Sequence, residues 1–450
     1  MNNARVMALK ASIAVEADKA FANLALNKIL GKGRANKLDR AFATELFYGT
    51  IRRLNTLDWV LGKFLKQPLR LQTVYVKNIL RQGLYQIMFM DRVPVSAACN
   101  ESAELARRFG HRGSVKFVNG VLRNIVRNID KIEYPSLEKS PVDHISIKHS
   151  HPPWIVKRCI DELGIEDTIK FCKVNNTPPP NTVRTNTLRM TPPALVDRLE
   201  DDGVRAEKTR YAPEALNIEG FLSLGAMATF EEGLFYVQDE GSILAGHAVS
   251  PPEGALVLDV CGGPGGKTTH LAQLLNNTGR VVSMDIHEHK IRLIEESCRR
   301  LGIDNVKAVQ GDARGLPGRY INKADCVLVD APCSGLGVIR RNPDIRWRKV
   351  EKQLPELQKL QMDILGAASQ CVKPGGILVY STCTFTREEN EEVVGTFLRE
   401  NGSFHEDGLA QINVFQEFEN GVLEKGKIRL WPHLHNTDGF FIARMKKRDE

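Results

Sequence analysis

The stretch from Ala255 to Thr269, Ala-Leu-Val-Leu-Asp-Val-Cys-Gly-Gly-Pro-Gly-Gly-Lys-Thr-Thr, constrains the fold most. Its apolar run, Ala255 to Leu258, is too short for a helix and predicts a buried parallel strand ending in Asp259. Four glycines and a proline fill Gly262 to Gly266, and Lys267 opens a helical pattern carried by Thr268, His270, Leu271 and Leu274. Strand, glycine-rich turn and helix form the opening unit of a nucleotide-binding α/β domain. The glycines let the backbone approach a ligand, and the helix N-terminus offers unpaired N–H groups. A tight turn without a ligand is the bland alternative. A phosphate-binding P-loop requires G-x-x-x-x-G-K-[ST], and Cys261 stands where its first glycine belongs. The dinucleotide fingerprint G-x-G-x-x-G also fits poorly, because Pro264 falls inside every alignment of these glycines.

Elements downstream recur at α/β spacing. Val281 to Asp285 predicts a short strand ending in an acid, and an acid about twenty residues after such a loop commonly holds a ribose hydroxyl pair. A helix from Lys290 to Leu301 follows, then a strand from Val306 to Val309 with Gly311-Asp312 at its end. A further strand, Cys326 to Val329, ends in Asp330. One such acid is ordinarily a helix cap or turn residue. Acids at several successive strand ends converge on one crevice. Without a phosphate loop, an adenosine bearing a cationic, non-phosphate group fits best, and S-adenosylmethionine is such a ligand.

Two cysteines flank that crevice. Cys333 follows Asp330-Ala331-Pro332, and Cys383 ends the apolar run that starts at Ile377, after the turn Lys373-Pro374-Gly375-Gly376. Either alone is more often an inert buried thiol. Together at strand ends they predict a nucleophile and an acid/base partner, since a thiolate adds readily to an electron-poor ring carbon. Their residue types leave open which one attacks. Glu388 to Glu391 predict favourable charges in the first turn of the next helix.

Cys261 to Lys267, Asp330-Ala331-Pro332-Cys333 and Ser381-Thr382-Cys383 resemble the motifs of the RNA cytosine-5 methyltransferases related to Nop2/Sun. Arg340 to Trp347 and Asp438-Gly439-Phe440-Phe441 resemble its bacterial RsmB (Sun, Fmu) branch, and the likeness extends over essentially the whole chain. The resemblance implies an all-α NusB-like N-terminal domain, a small α+β (RRM-like) module and a Rossmann-like class I methyltransferase domain. It also implies methyl transfer from S-adenosylmethionine to C5 of a cytosine in small-subunit (16S) ribosomal RNA. Cys261, Gly262, Gly263, Pro264, Gly265, Gly266 and Lys267 would form the cofactor loop. Asp285 would take the ribose, Asp312 the adenine side, and Asp330 the region between the methionine moiety and the target base. Cys383 would attack C6, and Cys333 would help remove the C5 proton and release the enzyme. One departure stands out: the family usually has Ala-Ala or Ser-Ala where Gly262-Gly263 lie, which predicts a looser turn. Transfer RNA is the alternative substrate, and a non-catalytic RNA-binding regulator is the competing class. The target base must be unpaired or flipped out, because C5 and C6 are reached from the ring face.

The charge is uneven. Residues 1–140 hold 24 Lys+Arg against 11 Asp+Glu, a net +13, whereas the whole chain is +8, leaving −5 for residues 141–450. Positive charge confined to one region points to a polyanion. That region predicts helices over Arg5–Leu30, Ala41–Ile51, Thr73–Met90, Ser96–Phe109 and Ser114–Val126. Phe117, Val121 and Ile125 share one face of the last, with Val118 and Leu122 beside it, and Gly31-Lys32-Gly33, Gln67-Pro68 and Gly110-His111-Arg112-Gly113 are breaks. Arg107, Arg108, Arg112 and Lys116 are the first phosphate-contact candidates.

The expected domains are 1–140, 151–240 and 241–450. Tyr134 to His151 is the expected linker, and a helix to Leu163 follows it. The small module alternates Asn181–Leu188, Pro193–Asp202, Ala215–Ile218 and Phe235–Val237. Arg340, Arg341, Arg346 and Arg348 beside Trp347 suit an RNA strand with an unstacked base, or equally a core tryptophan among solvated arginines. Gly439 to Met445 predicts a strand closing the sheet. Nine scattered cysteines without a C-x-x-C pair predict free thiols, a reducing cytoplasm and no metal. No apolar run reaches membrane-spanning length, and a monomer is expected.

Overall fold

The computed structural model describes residues 3–31, 35–221, 223–316, 318–418 and 423–449. The chain forms two compact units, Met1–Pro178 with Ile339–Lys349, and Pro179–Val338 with Val350–Glu450. No helix among the described residues is long and apolar enough to cross a membrane.

The first unit is helical: α1 (Asn3–Ala17), α2 (Ala22–Gly31), α3 (Lys37–Arg52), α4 (Leu54–Phe64), α5 (Val74–Phe89), α6 (Val95–Phe109), α7 (Arg112–Asn128), α8 (Pro141–Lys148) and α9 (Pro153–Val174). The helix expected from Arg5 to Leu30 is two helices, because the chain turns at Lys19, whose φ is 56°. Gly31 ends α2, while Lys32 and Gly33 of the expected break lie outside the described residues. Asn36 and Thr73 cap α3 and α5 through their side chains, as short polar residues do at helix starts. Helix α4 is not among the expected helices, although its Leu54, Leu57, Leu61 and Phe64 have helical spacing; Leu57, Val60 and Leu61 are buried in the core with Phe47, Leu80 and Leu84. On α7 the buried stripe is Val118, Leu122 and Ile125, while Phe117 and Val121 are only half-buried. The expected linker contains α8, which starts on Pro141 and buries Ile145. Gly164, at φ 75°, breaks α9 where the expected helix stopped, and helix resumes beyond it.

Residues 339–349, the arginine–tryptophan segment, belong to this unit. Arg346 is fully buried and donates to the carbonyl oxygens of Ser150 (3.0 Å) and Asn175 (2.9 Å) and to Asn176 Oδ1 (2.9 Å). The Trp347 indole N–H donates to Ile51 O at 2.9 Å, and Asp344 Oδ2 accepts the Ala22 amide at 3.2 Å. Arg346 is therefore an internal tie of the helical unit, while Trp347 is half-buried and lines a cavity with Asn78, Arg81 and Arg348.

The second unit holds two sheets. The smaller is antiparallel, in the order β2 (Arg205–Lys208), β3 (Ala215–Glu219), β1 (Thr182–Thr185), β4 (Phe235–Val237). Its core of Val183, Leu216, Ile218 and Phe235 is covered by Leu195 and Leu199 of α10 (Pro192–Asp201). The larger sheet contains β5 (Leu256–Asp259), β6 (Arg280–Asp285), β7 (Val306–Gln310), β8 (Ala324–Asp330), β9 (Val372–Thr382), β10 (Phe404–Glu406), β11 (Leu423–Glu424), β12 (Lys427–Leu430) and β13 (Phe440–Lys447). Its order is β11-β12-β13-β9-β8-β5-β6-β7, with β10 also pairing β13. Strands β5 to β9 run parallel; β5, β6, β8 and β9 are buried in their interiors, which explains their Val/Leu/Ile runs, while β7 is the half-exposed edge. Strand β13 lies antiparallel between β12 and β9, inside the sheet and not at its edge as expected. The intervening helices are α11 (Glu240–Val249), α12 (Gly266–Leu274), α13 (Glu288–Leu301), α14 (Leu354–Ser369) and α15 (Glu391–Glu400).

The small module is tied to the first turns of α12. Arg184, fully buried, donates to Gly266 O (2.7 Å), Thr269 Oγ1 (2.9 Å) and Gln273 Oε1 (2.8 Å). Nearby, Glu214 Oε1 accepts from His247 Nε2 at 2.7 Å and His270 Nε2 at 2.9 Å.

Candidate active site

Parallel pairing aligns the strand ends. Asp259 pairs with Ser283 and Leu328, Asp285 with Gln310, and Asp330 with Ser381. Asp259, Asp285, Asp330 and Cys383 therefore gather at the carboxyl edge, where open α/β sheets bind their ligands. A cavity of about 480 Å³ opens there. It is lined by Cys261, Gly263, Asp285, Asp312, Asp330, Cys333 and Cys383, together with Ile286, Lys290, Leu360 and Ile364.

The glycine turn is tied down. Gly262 N–H donates to Met284 O at 2.9 Å, Gly265 N–H to Gly262 O at 2.8 Å, and Gly263 N–H to Asp285 Oδ2 at 3.2 Å. A Cβ at Gly262 would lie 2.0 Å from Ser283 Oγ, and one at Gly263 would lie 2.6 Å from Asp285 Oδ2. The glycines that depart from the family pattern thus match a tightly filled turn, contrary to the expected loosening. Gly265 has φ 111°, a conformation that only glycine adopts easily.

The acids differ in their surroundings. Asp259 is buried, and Thr268 Oγ1 donates to it at 2.7 Å; burial pushes its carboxyl up to about 7. It supports the turn from behind. Asp285 is also buried and accepts from His287 N–H (3.0 Å) and Lys290 Nζ (3.0 Å). Asp330 accepts from Lys267 Nζ at 2.8 Å and from Ser381 Oγ at 2.9 Å. Lys267 is thus held by a carboxylate and is absent from the cavity lining, as are Gly262, Pro264, Gly265 and Gly266. Asp312 is the most open of the four and accepts from the Arg314 amide at 2.9 Å.

Cys333 Sγ and Cys383 Sγ are 3.4 Å apart. The hydrogen bond to the Cys383 thiol, then burial, then the neighbouring charges of Cys383 and Glu389 push the Cys333 thiol well above the ordinary thiol range. All nine cysteines are free; Cys261, Cys333 and Cys383 are half-buried and the other six are buried.

Comparison with known proteins places this geometry in a family. Residues 247–446 match the 16S rRNA methyltransferase RsmB/F model, residues 2–127 the NusB family, and residues 151–224 the ferredoxin-like domain of RsmF/B-like methyltransferases. The probable ribosomal RNA small subunit methyltransferase B of Bacillus subtilis (strain 168) is 37% identical, with 99% of this chain and 98% of the relative covered. The chain belongs to the ribosomal RNA small subunit methyltransferase B family. Among solved structures, PH0851 is 29% identical with a TM-score of 0.82, and the match covers 98% of each chain. NSun6 from Pyrococcus horikoshii, solved with an S-adenosylmethionine analogue, is 27% identical with a TM-score of 0.58 over 66% of this chain and 99% of its own. Membership in the methyltransferase B family implies S-adenosylmethionine-dependent RNA methylation. The NusB-like, ferredoxin-like and methyltransferase parts follow one another as their motifs implied.

Sequence reasoning missed several lining residues. Ile286 is 54% exposed immediately after Asp285, and that adjacency was its only signal. Leu360 and Ile364 enter from α14 with no motif around them. Glu389 was expected among the first-turn charges of a helix. In the structure α15 begins at Glu391, and Glu389 is a fully buried acceptor.

Proposed function

We propose that the protein transfers a methyl group from S-adenosylmethionine to C5 of a cytosine in small-subunit ribosomal RNA. The 3.4 Å approach of the Cys333 and Cys383 thiols at the edge of the acid-lined cavity carries this reading. Carboxylates without a phosphate loop suit an adenosine that carries a positive sulfonium. That group supplies an electrophilic methyl carbon. In our reading Asp285 takes the ribose hydroxyls, Asp312 lies on the adenine side with Ile286 offering an apolar surface, and Asp330 borders the base. Cys383 bonds to C6, which makes C5 electron-rich enough to accept the methyl group. Cys333 takes the proton from C5, and the Cys383–C6 bond then breaks to restore the aromatic ring. The basic helical unit, net +13 over residues 1–140, supplies the polyanion affinity.

The test uses RNA from cells lacking the protein, with 5-methylcytosine mapped by bisulfite sequencing. One small-subunit position should lose its mark and regain it with the wild type but not with Cys383→Ala. Cys333→Ala should trap a covalent RNA–protein adduct. Loss confined to transfer RNA would replace the substrate, and no loss anywhere would leave only an RNA-binding role.

A further inference from the structure

Beside the two thiols lies a carboxylate that the proposed chemistry leaves unused. Glu389 is 0% exposed. Its Oε1 accepts from the Ser334 amide (2.7 Å) and Gln361 Nε2 (3.1 Å), and its Oε2 from Ser334 Oγ (2.6 Å) and Thr386 Oγ1 (2.6 Å). All four donors are neutral, so the charge is held by dipoles alone. The residue gripped through both backbone and side chain is the one after Cys333. The next residue in the chain grips the other cysteine: Asn390 Oδ1 accepts from Thr382 Oγ1 at 2.6 Å, and its Nδ2 donates to Thr384 O at 3.1 Å. Glu389 thus joins the two cysteine loops, through Ser334 after Cys333 and Thr386 beyond Cys383, and Asn390 adds a second hold on the Cys383 loop.

We propose that Glu389 is a positioning residue that divides the labour of the two thiols: it fixes the Cys333 loop across from Cys383, and its charge keeps the shared proton on Cys333, so that Cys383 is the thiolate that attacks. This rests on the cytosine-5 reading for the attack itself. When two hydrogen-bonded thiols have lost one proton between them, the sulfur farther from a fixed negative charge carries the anion more readily. The Glu389 charge is among the influences raising Cys333. The proton balance closes as follows. Attack at C6 makes N3 of the cytosine basic, and N3 takes the Cys333 proton. The Cys333 thiolate left behind accepts the C5 proton. N3 returns its proton to solvent as the Cys383–C6 bond breaks.

The test reads the two thiols directly, on full-length protein without RNA. Iodoacetamide labelling is followed across pH, with each cysteine quantified by peptide mass spectrometry. Wild type should label Cys383 well ahead of Cys333. Glu389→Gln, which removes the charge at constant size, should raise the Cys333/Cys383 labelling ratio about 10-fold and lower kcat about 10²-fold. Glu389→Asp should keep the wild-type ratio while losing rate, and it carries the test if the glutamine variant misfolds, since an Asp variant that labels Cys333 first would overturn the proposal. An unshifted ratio in folded Glu389→Gln also overturns it. A shifted ratio with no adduct from Cys333→Ala would instead overturn the cytosine-5 reading and leave the thiol assignment standing.

Discussion

Ser334 Oγ and Thr384 Oγ1 lie 2.7 Å apart, which joins the residues that immediately follow Cys333 and Cys383. The two cysteine loops come from strands β8 and β9, which are paired in parallel up to Asp330 and Ser381. Beyond that point the ladder ends, and the hydroxyl pair continues it through side chains.

Removing this tie should slow chemistry without unseating the cofactor. Ser334→Ala is expected to lower kcat about 10-fold to 10²-fold, because a displacement of the order of 1 Å at reacting groups costs that much. S-adenosylmethionine affinity, read by calorimetry, should stay within about threefold. A loss confined to cofactor affinity would place Ser334 in binding.

The turn should accept alanine only with room made for it. Gly262→Ala brings a Cβ against Ser283 Oγ, Thr268 Oγ1 and Asp259 Oδ2. It should destabilise by about 1–3 kcal/mol, and adding Ser283→Ala should recover part of that as a coupling of about 1 kcal/mol. Urea unfolding of the four members of the cycle checks this, and strict additivity would reject the contact as the cause.

Stability should fall in acid because the buried imidazoles outweigh Asp259, whose carboxyl, held up to about 7, takes a proton in the folded chain and works the other way. Burial lowers His149 to about 4, His270 to about 3 and His435 to about 4, from an ordinary value of 6.5. Between pH 6.5 and 4 the unfolded chain binds these protons and the folded chain does not, so unfolding becomes easier as pH falls through that window. The urea midpoint should drop steadily from pH 7 to pH 4.5, and a flat profile would show these imidazoles to be accessible in the folded state.

Arg346→Met should destabilise the helical unit by about 3 kcal/mol. The substitution keeps the volume but leaves the carbonyls of Ser150 and Asn175 buried without a donor. Thermal melting of the full chain checks it. A change below about 0.5 kcal/mol would mean that water replaces the guanidinium.

RNA affinity should respond to charge on α7. Arg112 and Lys116 are exposed there, whereas Arg107 is already paired with Glu104. Reversing Arg112 and Lys116 to Glu should weaken binding and flatten the slope of log K against log salt by about 1.5. Charge reversal is preferable to removing residues 1–140, since the unit runs on to Pro178 and includes 339–349. An unchanged slope would move the RNA surface elsewhere.

The crevice was legible because its parts are local. Each acid or cysteine sits at the end of a short apolar run, so parallel pairing alone brings Asp285, Asp330 and Cys383 to one edge. What stayed hidden depends on distant partners. Glu389 is defined by Ser334, 55 positions away, and looked like an ordinary helix-start acid. Arg346 is defined by acceptors 170 to 196 positions away, so its pattern beside Trp347 suited an exposed RNA strand equally well. On α7 the spacing included Val118, Leu122 and Ile125, which are the buried stripe, but centred the face on Phe117 and Val121, because a helical period fixes a face and not which flank of it meets the core.

The eleven residues from Ile339 to Lys349 are encoded amid the methyltransferase motifs yet complete the helical unit. Inheritance of that unit is therefore not contiguous. A hybrid gene that joins the first 178 codons of one relative to the remainder of another would set one species' Arg346 and Trp347 into another's sockets. Such chimeras should fail or succeed according to whether this short insert travels with the N-terminal segment, so that two stretches far apart in the gene are selected as one.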